Sequence, residues 1–246
     1  PGHARCCPGR GAVAARASGD SGDKARAEQV LRALSELYEQ QLGDPQRAIV
    51  ANLQRYEFAP ELPVVKELVR LYEVTGELAR VAEFMEIQIG LEPPHQGLAA
   101  AHALADLAAT RLRDPELVQR ALLAARKISP RDPQTIAKLR QHFESRGAYE
   151  ALAQLLQEEA AMREKPAEQA AMLREIAALY AKRIGDSARG ITYLERAIAL
   201  VPGDRETLVA LCDLYIASGR ESSAIPMLEQ IIASFGGRRA KEVASY

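Results

Sequence analysis

The chain predicts an all-α fold of about six helix-turn-helix repeats, paired into three long units of like pattern. Three observations predict it. First, apolar residues make up 48% of the chain but aromatics only 5%, with no Trp, so Leu, Ala, Ile and Val must build the core. Ala and Leu are strong helix formers, and β-branched runs are rare here. Second, one phrase recurs: "LGDPQRAIVANLQRYEFAP" from Leu42, "LRDPELVQRALLAARKISP" from Leu112 and "IGDSARGITYLERAIALVP" from Ile184. Its aspartates Asp44, Asp114 and Asp186 keep the same two intervals as its closing prolines, Pro60, Pro130 and Pro202, and as the upstream Leu34, Leu104 and Ile176. Third, a second series interleaves with it. Tyr72, Phe143 and Tyr215 recur at nearly the same period, each four positions before Gly76, Gly147 and Gly219. Tyr38, Ala108 and Tyr180 take the corresponding place in the first series, so each unit splits into two related halves.

The elements follow in order. Residues 1–22, rich in Gly, Ala, Arg and Pro, lack the apolar stretch of a signal peptide and read as a flexible leader or linker. Residues 23–235 form the repeat domain. Its first helix places Val30, Leu31, Leu34, Leu37 and Tyr38 on one face, the spacing of an amphipathic helix. Gly43 ends it, Asp44 caps the next helix and Pro45 opens it. That second helix runs to about Ala59, where Pro60 bars its continuation. Helix, tight turn, helix, turn makes each half an αα-hairpin. The odd halves carry one extra turn residue, around Gly43, Arg113 and Gly185. "GDPQ" is no phosphate loop: it has one glycine, no following Lys-Ser/Thr, and a helix rather than a strand before it. Residues 236–246 read as the start of a further or capping helix.

These residues resemble the tetratricopeptide repeat. That family's unit has small residues where its two helices touch, a Tyr late in the first helix, Gly four residues on, Ala nine on and a terminal Pro. Tyr215, Gly219, Ala224 and Leu228 match it, and "LERAIALVP" supplies Ala197 and Pro202. Ser35, Ala105, Ala177 and Cys212, each three before the Tyr position, fit the small-residue sites, which makes Cys212 a core residue rather than a nucleophile. The fourth repeat departs from the pattern, with Arg140 at a usually small site and Leu152 where Ala is typical. The resemblance covers about residues 24–235. It implies a right-handed superhelical α-solenoid whose first helices line a concave groove that holds an extended peptide or a partner helix. Positions six and two before each Tyr site would line it: Arg32, Glu36, Lys66, Arg70, His102, Asp106, Gln141, Arg174 and Asp213. Lys66 and Arg70 are the most basic spot, suited to an acidic or carboxylate-bearing peptide. The family's carboxylate-clamp subclass does not carry over, since the sole Asn, Asn52, falls on a second helix.

Composition and motif search narrow the function classes. Lys and Arg (32) nearly cancel Asp and Glu (33), which removes the electrostatic footprint of a general nucleic-acid binder. No apolar run approaches the ~18 residues that would suggest a membrane span. The cysteines, Cys6, Cys7 and Cys212, make neither a disulfide framework nor a zinc knuckle, and few cysteines suit the cytoplasm. The histidines show no H-E-x-x-H pairing, and no nucleophile or dinucleotide motif occurs. The expectation is a non-enzymatic protein–protein interaction scaffold with a protein or peptide partner and no cofactor. Two alternatives stand beside it: a structural module that self-associates through exposed repeat ends, and the regulatory repeat arm of a larger enzyme or signalling protein. The Ala-, Arg- and Leu-heavy usage is that of a GC-rich genome and predicts a bacterial source.

Overall fold

The structure, a computed structural model, describes residues 10–234, with side chains from Lys24 to Ala233. Helix α1 (Arg10–Gln40) begins inside the segment read above as a leader. The remainder of that segment, residues 1–9, and the further helix expected over 236–246 lie outside the described residues.

Among the described residues eleven more helices follow α1: α2 (Pro45–Phe58), α3 (Leu62–Thr75), α4 (Leu78–Leu91), α5 (Pro94–Leu107), α6 (Pro115–Ile128), α7 (Pro133–Arg146), α8 (Tyr149–Ala161), α9 (Pro166–Leu179), α10 (Ser187–Leu200), α11 (Arg205–Ala217) and α12 (Glu221–Ser234). No strand occurs among the described residues. The repeated phrase folds as its chemistry dictates. Asp44, Asp114 and Asp186 each accept a hydrogen bond from the backbone amide three positions on, Arg47, Leu117 and Arg189, at 2.9–3.0 Å. The chain leaves each of these second helices just before its proline, at Ala59, Ser129 and Val201.

The extra turn residue of the odd repeats has a structural outcome. Helices α5 and α9 end in single π-helical turns, Ala108–Leu112 and Tyr180–Ile184. The wider turn absorbs the added residue, and the amides of Asp114 and Asp186 close back on the carbonyls of Ala108 and Tyr180. Each turn then needs one left-handed residue. Gly185 supplies it at φ +83°, but Arg113 occupies the same place at φ +53° despite its Cβ.

The chain divides into two compact units, residues 1–136 and 137–246. In the first, α1 to α6 pack in serial order, each on the next. In the second, α8 to α12 do the same. A lone hairpin leaves one face wet, so stacking is what buries it. Leu68 and Leu104 in the first unit, and Ile176 and Leu194 in the second, are sealed from solvent. Each fully buried side chain of this size contributes about 1.5–3 kcal/mol. The small sites behave as the repeat pattern predicts. Ser35, Ala105, Ala177 and Cys212 are all buried. At Gly190 a Cβ would stand 3.1 Å from the carbonyl oxygen of Ala177 and 3.2 Å from a methyl of Leu214, so α9 and α10 approach as closely as backbone allows.

One hairpin is built differently. In α1/α2, buried Asn52 donates to Ser35 Oγ (2.5 Å) and to the Ala48 carbonyl (3.0 Å), while the Arg55 guanidinium donates to Asn52 Oδ1 (2.7 Å) and to Glu28 (2.7 Å). In the α5/α6 hairpin the sites of Glu28, Ser35, Asn52 and Arg55 hold Leu98, Ala105, Leu122 and Ala125. A polar network thus stands in α1/α2 where α5/α6 has apolar contact.

Candidate interaction surface

The first unit carries a polar groove of about 370 Å³ where α1, α2 and α3 meet. Arg32, Glu36 and Arg70, three of the predicted groove residues, line it together with Glu39, Glu67 and the buried Arg55. Its charges are matched within the protein. The Arg70 guanidinium donates to Glu39 (2.5 Å) and to both oxygens of Glu67 (2.6 and 3.1 Å). Those carboxylates hold Arg70 firmly charged. Arg32 donates to Glu36 at 3.4 Å, one helical turn away. Lys66 lies outside this lining and pairs with Glu92 at 2.8 Å, and with Gln88 it holds the Glu92 carboxyl below the usual carboxylate range.

His102 and Arg174 have a different situation from the exposed candidates. Each reaches from the first helix of one hairpin to the N-cap of the first helix in the next. His102 Nε2 lies 3.2 Å from Asp132 and 3.1 Å from the hydroxyl of Thr135. Asp132 also accepts from the Thr135 amide (2.7 Å) and hydroxyl (2.6 Å), and these bonds hold its carboxyl below the usual range. One period on, the set recurs in the second unit with Arg174, Asp204 and Thr207. Burial pushes the Asp204 carboxyl up, but Thr207 and Arg174 outweigh it and the net displacement is downward. One period earlier the places of Asp132 and Thr135 are held by Glu61, the N-cap residue of α3, and Val64; Glu61 makes no side-chain cap bond, and Arg32 pairs with Glu36 on its own helix. Asp106, Gln141 and Asp213 are exposed on α5, α7 and α11.

Two departures noted in the fourth repeat are resolved by packing. Arg140 threads between α8 and α9, donating to buried Glu159 (2.8 and 3.3 Å) and to Glu175 (3.2 Å). Leu152 is buried on α8 together with Leu155 and Leu156. Sequence reasoning missed Glu159 as a structural charge and missed the Glu28–Arg55–Asn52 network. The signal for the network was available in the comparison of one period with the next, through Leu98, Leu122 and Ala125. The thiol of Cys212 is buried 3.8 Å from the Ala224 carbonyl, and burial pushes its pKa up, which fits a core residue. Among the described residues no group of three His, Cys, Asp or Glu is placed to hold a metal, and no helix is long and apolar enough to cross a membrane.

A family model described as tetratricopeptide repeat matches residues 185–244. No curated protein matches the sequence. Among solved structures the chain is similar to MamA, with 13% identity, a TM-score of 0.34 and coverage of 90% of this chain and 96% of that one. It is similar to pilF of Pseudomonas aeruginosa, with 15% identity, a TM-score of 0.36 and coverage of 89% and 81%. It is also similar to the C-terminal part of a TPR repeat-containing protein from Cytophaga hutchinsonii, with 11% identity, a TM-score of 0.41 and coverage of 84% and 79%.

Proposed function

We propose that this tetratricopeptide-repeat chain, matched as such over residues 185–244, is a non-enzymatic scaffold that binds a peptide or partner helix along the first helices of its hairpins. The observation that carries the reading is the groove of the first unit, where Arg32, Glu36 and Arg70 face solvent around one polar cavity. Repeat scaffolds of this kind mediate protein–protein interaction, and rigid hairpins present their side chains at low entropic cost. Because Arg70 and Lys66 already hold carboxylates, the partner competes for them rather than filling a bare cationic site. A segment that carries both signs of charge suits such a surface better than a purely acidic one, since it replaces each internal pair with another.

The test is affinity capture with the wild-type chain and with the Lys66→Glu, Arg70→Glu double variant. The partner recovered by the wild type is lost with the variant while circular dichroism shows unchanged helicity. Equal recovery by both proteins removes the groove assignment.

A further inference from the structure

Helix α1 leaves bare the side chains that comparable first helices use as a seal. Val30 is 65% exposed, Leu34 37% and Leu37 42%. The matching residues of α3 are Val64, Leu68 and Leu71, all buried where α3 packs on α2. In α5 and α9 the Leu34 site is held by Leu104 and Ile176, both fully buried. In α11 it is held by Leu211, which clusters with Ile191 and Leu194 of α10.

Helix α12 shows the other half of the same joint. Ile225 is 55% exposed and Ile232 46%. Their counterparts in α10, one hairpin earlier, are Ile191, buried among Leu211 and Tyr215 of α11, and Ile198, packed on Leu208 and Cys212. Ile49 and Ala82 occupy the Ile225 site in α2 and α4, and both are buried. The α10–α11 joint also has a polar latch: the Tyr215 hydroxyl donates to Glu195 at 2.7 Å. The latch residues recur on these two bare faces. Tyr38 stands in α1 where Tyr215 stands in α11, and Glu229 stands in α12 where Glu195 stands in α10.

We propose that a second copy of this chain covers both faces, head to tail, with α12 of one molecule docked on α1 of the next. Ile225 then meets Leu34 and Tyr38 of the next copy, as Ile191 meets Leu211 and Tyr215, and Ile232 meets its Leu31, as Ile198 meets Leu208. Glu229 accepts from its Tyr38. The occupant is set by continuity: the two faces are the two sides of a joint the chain already makes between α10 and α11, complete with its apolar contacts and its Tyr–Glu pair. The contact is heterologous, so a pair of molecules keeps one free face of each kind. This inference is independent of the groove, because neither face includes Arg70 or Lys66.

Sedimentation velocity on the full chain tests it, over a concentration series. The wild type forms species that grow with concentration. Val30→Asp with Leu34→Asp blocks one face, and Ile225→Asp with Ile232→Asp blocks the other; each double variant sediments as a monomer with unchanged helicity. Mixed in equal amounts, the two blocked variants form one 1:1 species and nothing larger, since each retains the face the other lacks. Glu229→Lys weakens the wild-type association. A wild type that stays monomeric throughout the series overturns the proposal. So does a blocked variant that dimerises by itself, because that contact joins like to like.

Discussion

Arg174 on α9 and Asp204 at the N-cap of α11 form an ion pair that ties one hairpin to the next, and Thr207 donates its hydroxyl into the same carboxylate. His102, Asp132 and Thr135 repeat the arrangement one period earlier. The pattern fixes the register of neighbouring first helices: a cation or imidazole from one finds the capped end of the other. Arg174→Ala therefore costs stability as well as any surface charge. A loss of about 1–2 kcal/mol is expected for a charged hydrogen bond in a partly buried setting, read as a lower midpoint in urea with an unchanged slope.

The caps also set an acid response. Asp132 and Asp204 both titrate below the usual carboxylate range in the folded chain. A depressed folded pKa gives stability that is present above the unfolded value, about 3.9, and is lost as pH falls through the folded value. The expected outcome is that Asp132→Asn and Asp204→Asn each lower stability at neutral pH and flatten its decline below about pH 4. Urea midpoints measured from neutral to acid pH check this; parallel pH profiles for wild type and variants count against it.

Arg140 and Glu159 form a largely buried ion pair, with Glu159 only 5% exposed. Removing the cation alone strands a carboxylate, so Arg140→Leu is expected to cost about 3–5 kcal/mol. Arg140→Leu with Glu159→Leu removes both charges and recovers most of that loss. A double-mutant cycle measures the difference, and additive losses would show that the two residues act separately.

Arg113 sits at φ +53°, where Gly43 and Gly185 serve the other odd repeats. A side chain in the left-handed region costs about 1–2 kcal/mol. Arg113→Gly is expected to recover about 1 kcal/mol, less than the full strain because glycine gains freedom in the unfolded chain. Thermal unfolding that moves to lower temperature would contradict this.

The α1/α2 network yields an expectation of the opposite kind. Replacing Glu28, Asn52 and Arg55 together by Leu, Leu and Ala, as in the α5/α6 hairpin, is expected to be neutral or stabilising by about 1–4 kcal/mol. Asn52→Leu alone leaves the Arg55 guanidinium short of an acceptor and destabilises. Equal behaviour of the single and triple variants would show that the network does not act as a unit.

Much of the fold was legible because turns and caps are local. Asp44, Asp114 and Asp186 were readable as N-caps, and Pro60, Pro130 and Pro202 as stops, since each acts through its own backbone within a short reach. The candidate surface was less legible. Counting back from the tyrosines finds which way a side chain leaves its helix, and Arg32, Glu36 and Arg70 do line one groove. It does not find what waits there. His102 and Arg174 meet a neighbouring helix's cap, whereas Arg32 pairs within its own helix and Glu61, at the N-cap of α3, makes no side-chain cap bond; that outcome is set a whole hairpin away in sequence.

By itself, then, the amino-acid order determined the helices, their turns, the long repeat period and the all-α class, because these depend on propensity, capping and spacing along one stretch of chain. Only the packed structure decided which charges are spent on internal pairs, where Arg140 and the Glu28–Arg55–Asn52 network replace apolar contact, and which apolar stripes stay bare at α1 and α12. Those outcomes depend on distances between residues remote in sequence, where a buried charge must find its partner and a hydrophobic face is covered only if another helix lies against it.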